Sequence, residues 1–125
     1  MGTELGRTLP SGSVVCFFGD LAAGKTTFIK GLVSGAAQLD PDQVNSPTFV
    51  YLNIYEGTCP VYHFDLYRLE GQTAFLGMGF DEYLGAPGIC CIEWSEKIQD
   101  LLPSHYIRVK MSHLGENKRE ITIIR

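Results

Sequence analysis

The chain has 125 residues, 45% of them hydrophobic, with ten basic against fourteen acidic side chains and a net charge of −4. That length predicts one domain over 1–125 with enough apolar material for a core. The acidic balance, with no basic run longer than Lys118-Arg119, argues against strong direct binding to nucleic-acid phosphates.

No apolar stretch approaches the ~18 residues of a membrane helix, and no secretory pattern opens the chain, so a cytoplasmic protein without a membrane partner is expected. Cys16, Cys59, Cys90 and Cys91 show neither zinc-site spacing nor a disulfide framework. They are expected to be reduced, with Cys16, Cys90 and Cys91 as small buried side chains in apolar runs.

Residues 3–9 read as the end of a first helix, broken by Pro10 and Gly12 before a strand over 13–18. Directly after that apolar strand comes G-D-L-A-A-G-K-T, made of Gly19, Asp20, Leu21, Ala22, Ala23, Gly24, Lys25 and Thr26, with Thr27 following. Glycines at both ends let successive main-chain N–H groups curl around phosphate oxygens. The lysine adds a cation, the threonine hydroxyl suits Mg²⁺, and the next helix turns its positive end toward the anion. The helix is predicted over 25–38, because Phe28, Ile29, Leu32, Val33 and Ala36 recur at helical spacing. Together these features form a phosphate-binding loop for a nucleoside triphosphate. Ala22 stands where many such loops carry glycine; a left-handed backbone there would cost an alanine ~1 kcal/mol. Gly31 and Gly35 lower the helical propensity of the same segment, so tertiary packing must hold it.

Residues 40–47 read as an exposed loop with two prolines, and 48–55 with 60–64 as an antiparallel hairpin. Residues 66–84 are helical in pieces, interrupted by Gly71, Gly77 and Gly79. The run over 88–93 is apolar up to its final acid, as expected of a strand covered on both faces in a parallel sheet. A short helix over 98–102 precedes a final hairpin, in which Ile107, Val109 and Met111 alternate with Arg108 and Lys110, and Ile121 and Ile123 repeat the pattern after a turn at Gly115.

Triphosphate hydrolysis calls for a magnesium-side or water-orienting carboxylate at the end of a strand beside the loop. Glu93 and Asp65 both close strands. The stronger core-strand signal favours Glu93 for the magnesium side, leaving Asp65 as the water-orienting or switch residue, or as an N-cap on a helix beginning at Leu66. Ser46 and Thr48, in N-S-P-T, either sense the γ-phosphate or simply start a turn. Trp94 is either core, a seal beside the acid, or a ring that stacks on a partner. His63 reads as a satisfied structural histidine, and Arg68 as part of a solvated face. The N-K-R-E run over 117–120 imitates a guanine-reading box, but it sits in a hairpin turn and not after an apolar strand, which disfavours GTP.

These motifs together resemble a known family: G-D-L-A-A-G-K-T-T at 19–27, N-S-P-T-F at 45–49, Y-H-F-D-L-Y-R-L at 62–69 and I-E-W at 92–94 are similar to the bacterial TsaE-type ATPases of tRNA threonylcarbamoyladenosine biosynthesis. The resemblance implies a compact single-domain P-loop α/β fold, with a mostly parallel central sheet, antiparallel hairpins and flanking helices. It also implies a slow Mg²⁺-dependent hydrolysis of ATP, coupled to the two-protein transferase complex of TsaB and TsaD type that modifies adenosine-37 of ANN-decoding tRNAs. tRNA would be reached only through those proteins. Carried over by motif, Thr26 and Glu93 hold magnesium, the segment from Ala22 to Thr27 cradles phosphates, Lys25 and Asp65 assist hydrolysis, Ser46 and Thr48 form a first switch, Trp94 lies in a second, and Arg119 approaches the nucleotide. This chain departs from the family pattern at Ala22, and in shorter segments before and after the motifs.

Two other functions are compatible with a phosphate loop. A small-molecule kinase would carry an arginine-rich lid, whereas this chain has five unclustered arginines. A nucleotide-gated binding module would bind without hydrolysis.

Overall fold

Among the described residues six strands form one mixed sheet: β1 (Val14–Phe18), β2 (Leu52–Tyr55), β3 (Val61–Asp65), β4 (Ile89–Glu93), β5 (Ile107–Gly115) and β6 (Lys118–Ile124). A computed structural model describes residues 2–19, 22–39, 51–115 and 118–125, with the backbone alone at 22–24, 26, 113–115, 118 and 119. The spatial order is β2-β3-β4-β1-β5-β6. The four inner strands run parallel, and β2 and β6 are antiparallel edges supplied by the two hairpins. The expected α/β architecture is therefore the observed one, and β4, buried at all five positions, is a strand covered on both faces.

Alternation along the parallel strands sends side chains to two separate cores. On one face Val15, Phe17, Val61, Ile89, Cys91 and Val109 pack against helices α1 (Gly2–Thr8) and α2 (Ala22–Ala37). On the other, Cys16, Phe64, Cys90 and Ile92 meet Phe75 of helix α3 (Gln72–Gly77) and Ile98 of the 3-10 segment Ser95–Leu101. The piecewise helical reading of 66–84 resolves into a turn, α3 and a second 3-10 segment, Phe80–Leu84. No helix among the described residues is long and apolar enough to cross a membrane.

Helix α2 starts at Ala22, earlier than the predicted 25, and ends at Ala37, where Gln38 turns left-handed at φ 58°. Its last carbonyls are met by Thr58, whose N–H reaches Ala37 O at 3.1 Å and whose hydroxyl lies 3.5 Å from Ala36 O. The glycines that weaken α2 have a packing reason. A Cβ on Gly35 would strike the Thr3 carbonyl, one on Gly31 would lie 3.1 Å from the Thr3 nitrogen, and one on Gly6 would strike the Leu32 carbonyl. Bare backbones are what let α1 and α2 approach so closely.

Candidate functional site

Three parallel strands end side by side at one edge of the sheet. Phe17 of β1 is in register with Glu93 of β4, and Glu93 with Asp65 of β3. Ligands of open parallel sheets bind outside such carboxyl ends. Beyond β1 the chain turns at Gly19, whose φ of 123° and close approach to the Met111 carbonyl leave no room for a Cβ. The first turn of α2 then faces this edge. Ala22 lies within that helix and does not take a left-handed backbone, so the strain considered for an alanine there does not arise.

Lys25 is in this first turn and only 7% exposed. Among the described residues it makes no ion pair; its Nζ lies 5.5 Å from the ring centroid of Trp94. With Phe17, Phe18, Gly19, Trp94 and Glu96 it lines a hollow of about 110 Å³. A larger hollow of about 170 Å³, lined by Ser104, Tyr106 and Arg108 among others, lies near the opposite end of β5 and contains none of the predicted site residues.

Glu93 is buried and bonded to an equally buried histidine: His63 Nε2 lies 2.9 Å from Glu93 Oε2. His63 is diagonal to Glu93, since its register partner is Cys91. The expectation of a fully satisfied structural histidine is corrected in two ways. The imidazole belongs to the acidic site, and its Nδ1 is buried without a partner among the described residues. Asp65 is half-buried, and its Oδ1 accepts the Tyr67 N–H at 3.2 Å, closing a turn. No helix begins at Leu66, so Asp65 caps this turn instead of a helix. Burial raises the Asp65 carboxyl above its ordinary range; the nearby Glu93 adds to this, while the Tyr67 N–H, His63 and Lys25 oppose it.

Trp94 is not core. It is 38% exposed, adopts a left-handed φ of 63°, and its ring meets that of Tyr67 at 5.0 Å between centroids. Lys97, which sequence reasoning passed over, donates to Tyr67 O at 2.5 Å and Leu69 O at 2.8 Å. It thereby ties the turn after β3 to the segment after β4. The contact spans about thirty residues of chain and has no local sequence signal.

The structure thus brings Gly19, Lys25, Asp65, Glu93 and Trp94 to one edge, with the backbone of Ala22, Ala23, Gly24, Thr26 and Thr27 in the first turns of α2. Arg119 is on β6 opposite His113, beyond the same end of β1 and separated from it by β5. Asp20, Leu21, Ser46 and Thr48 lie outside the described residues.

Comparison with known proteins extends this geometry. The family described as threonylcarbamoyl adenosine biosynthesis protein TsaE matches residues 1–121. The tRNA threonylcarbamoyladenosine biosynthesis protein TsaE of Treponema pallidum is 41% identical over 122 residues, 98% of this chain and 89% of that protein. The protein of the same name from a Nostoc species is 44% identical over 128 residues, 98% of this chain and 76% of its own length. The crystal structure of Bacillus subtilis YdiB superposes with a TM-score of 0.76 at 32% identity, covering 98% of this chain and 74% of YdiB. The chain therefore belongs to the TsaE family of tRNA threonylcarbamoyladenosine biosynthesis proteins.

Proposed function

We propose that this chain is a Mg²⁺-dependent P-loop ATPase serving tRNA threonylcarbamoyladenosine biosynthesis in the cytoplasm. Its nucleotide state switches how it engages a two-protein transferase complex of TsaB and TsaD type, through which it meets tRNA. The observation that carries the reading is Lys25. An ammonium this buried, making no close ion pair among the described residues and only a longer-range attraction to Asp65, is positioned for a further anion. Its position at a helix N-terminus behind a Gly19 turn suits a polyphosphate.

The donor set fits magnesium triphosphate. Thr26 and Glu93 are hard oxygen donors of the kind Mg²⁺ takes alongside phosphate oxygens. When bound, the ion would draw negative charge from the β- and γ-phosphates. The chain's own residues do the rest. Gly19 to Thr27 surround the phosphates with main-chain N–H groups, and Lys25 neutralises the γ-phosphate oxygens. Asp65, in register with Glu93 on the neighbouring strand, orients the attacking water. Ser46, Thr48 and Trp94 read the nucleotide state, and Arg119 approaches the nucleotide. Turnover by the chain alone is slow, as the family resemblance implies.

Calorimetric titration of ATP with Mg²⁺, beside release of labelled phosphate with and without the transferase pair, tests the reading. Binding and slow hydrolysis, both lost in Lys25→Ala, are expected. Equal turnover by Lys25→Ala would overturn it.

A further inference from the structure

The buried imidazole of His63 has no part in the reading just given, yet it holds the acid on which that reading depends. Glu93 ends a fully buried strand, and a glutamate has three side-chain torsions with which to leave a productive pose. One carboxylate oxygen, Oε2, lies 2.9 Å from His63 Nε2. An ionised carboxylate only accepts hydrogen bonds, so the imidazole is the donor. His63 is itself buried in the sheet. It is 2% exposed on β3, which is paired on both sides by β2 and β4. The donor is therefore anchored on a strand paired on both sides, and Oε1 is the oxygen that this bond leaves uncommitted.

We propose that His63 is a positioning residue for Glu93: its Nε2–H clamps Oε2, so that Oε1 is presented to the Mg²⁺ of the bound nucleotide. The inference rests on Glu93 facing that ion. Hydrogen-bonded partners behind metal-binding carboxylates commonly set metal affinity by about 10–100-fold. Removing the donor should therefore weaken the metal without weakening the metal-free nucleotide.

The probe is Mg²⁺ titrated into the chain loaded with a non-hydrolysable ATP analogue, followed by the emission of Trp94, the one tryptophan. His63→Leu should raise the half-saturating Mg²⁺ by about 10–100-fold. His63→Gln, which keeps an N–H of similar reach, should recover most of that loss. Analogue binding in EDTA should be the same for both and for the parent. If His63→Leu leaves the Mg²⁺ dependence unchanged while Glu93→Gln shifts it, the positioning role is wrong. If the two His63 variants weaken equally, in EDTA as well, His63 only packs and the proposal falls. If Glu93→Gln itself changes nothing, the reading of Glu93 as a magnesium ligand fails first, and the clamp with it.

Should His63→Leu not fold, ¹⁵N spectra of the imidazole in the nucleotide-free parent and in Glu93→Gln decide the matter. A proton held on Nε2 in the parent and shared between both nitrogens in Glu93→Gln supports the clamp; identical spectra overturn it.

Discussion

Asp65 and Glu93 stand opposite each other in register on adjacent parallel strands, so two acids from separate parts of the chain share one edge of the sheet. Glu93 is tied down by His63, whereas Asp65 is half-buried with its ionised form disfavoured by burial and by its neighbour. Such a group has a stability consequence of definite sign. A carboxyl raised above its unfolded value favours the folded state when protonated, and that contribution is lost as pH rises through the folded pKa. Above its raised range the Asp65 carboxylate therefore works against folding.

Asp65→Asn, which keeps the Oδ1 acceptor for the Tyr67 N–H, is expected to raise the melting temperature at pH 7. The gain should shrink as pH falls through the raised carboxyl range toward the ordinary aspartate value. Thermal unfolding of parent and variant across acidic to neutral pH checks this. On the proposed function, the same variant loses ATP turnover, which separates a catalytic acid from a stabilising one.

Lys25 offers the matching test on the cationic side. Replacing it by methionine removes a buried charge while keeping the stem that packs beside Trp94. Stability should hold or rise, and ATP affinity should drop by about 10–100-fold, the value of a charge-assisted hydrogen bond of roughly 1.5–3 kcal/mol. Calorimetry and thermal melts on one sample measure both.

The crossing of α1 and α2 sets up a competition between local and tertiary preference. Alanine favours an isolated helix over glycine by about 1 kcal/mol. Gly35→Ala nevertheless drives a methyl into the Thr3 carbonyl, and overpacking of this kind costs roughly 1–3 kcal/mol or more. Because the struck atom is backbone, the variant should be less stable in urea despite its better propensity. Ala substitution at the open Gly77, where nothing lies within 4 Å, is the control expected to do no such harm.

Cysteine reactivity follows burial. Cys16 is pushed up to about 11 and Cys90 to about 12 by desolvation, and the fully buried Cys91 is raised as well. Cys59 alone among the four is partly exposed. Native protein at pH 8 should take up one equivalent of a thiol reagent promptly, and four after unfolding. Mass spectrometry of the labelled peptides should locate the fast site at Cys59.

Features written within a few consecutive residues were legible without coordinates. The strand before the phosphate-loop pattern, the helical spacing after it and the apolar run ending at Glu93 each lie in one contiguous stretch, and each has its expected place in the fold. Boundaries were less secure: α2 starts at Ala22, ahead of an apolar periodicity whose first member in the sequence is Phe28. Trp94 was ambiguous because a large aromatic beside a buried strand suits a core as well as a rim. Its left-handed backbone, which turns the ring outward over Lys25, has no signature in composition.

The amino-acid order alone determined the class of fold, because backbone hydrogen bonding and side-chain alternation act over short stretches. Which strands became neighbours was decided only by the packed sheet. That choice brought His63 onto Glu93, set Asp65 beside it, and let Lys97 join two turns. Contacts between distant parts of the chain depend on burial shared by the whole sheet, and no window of sequence contains that information.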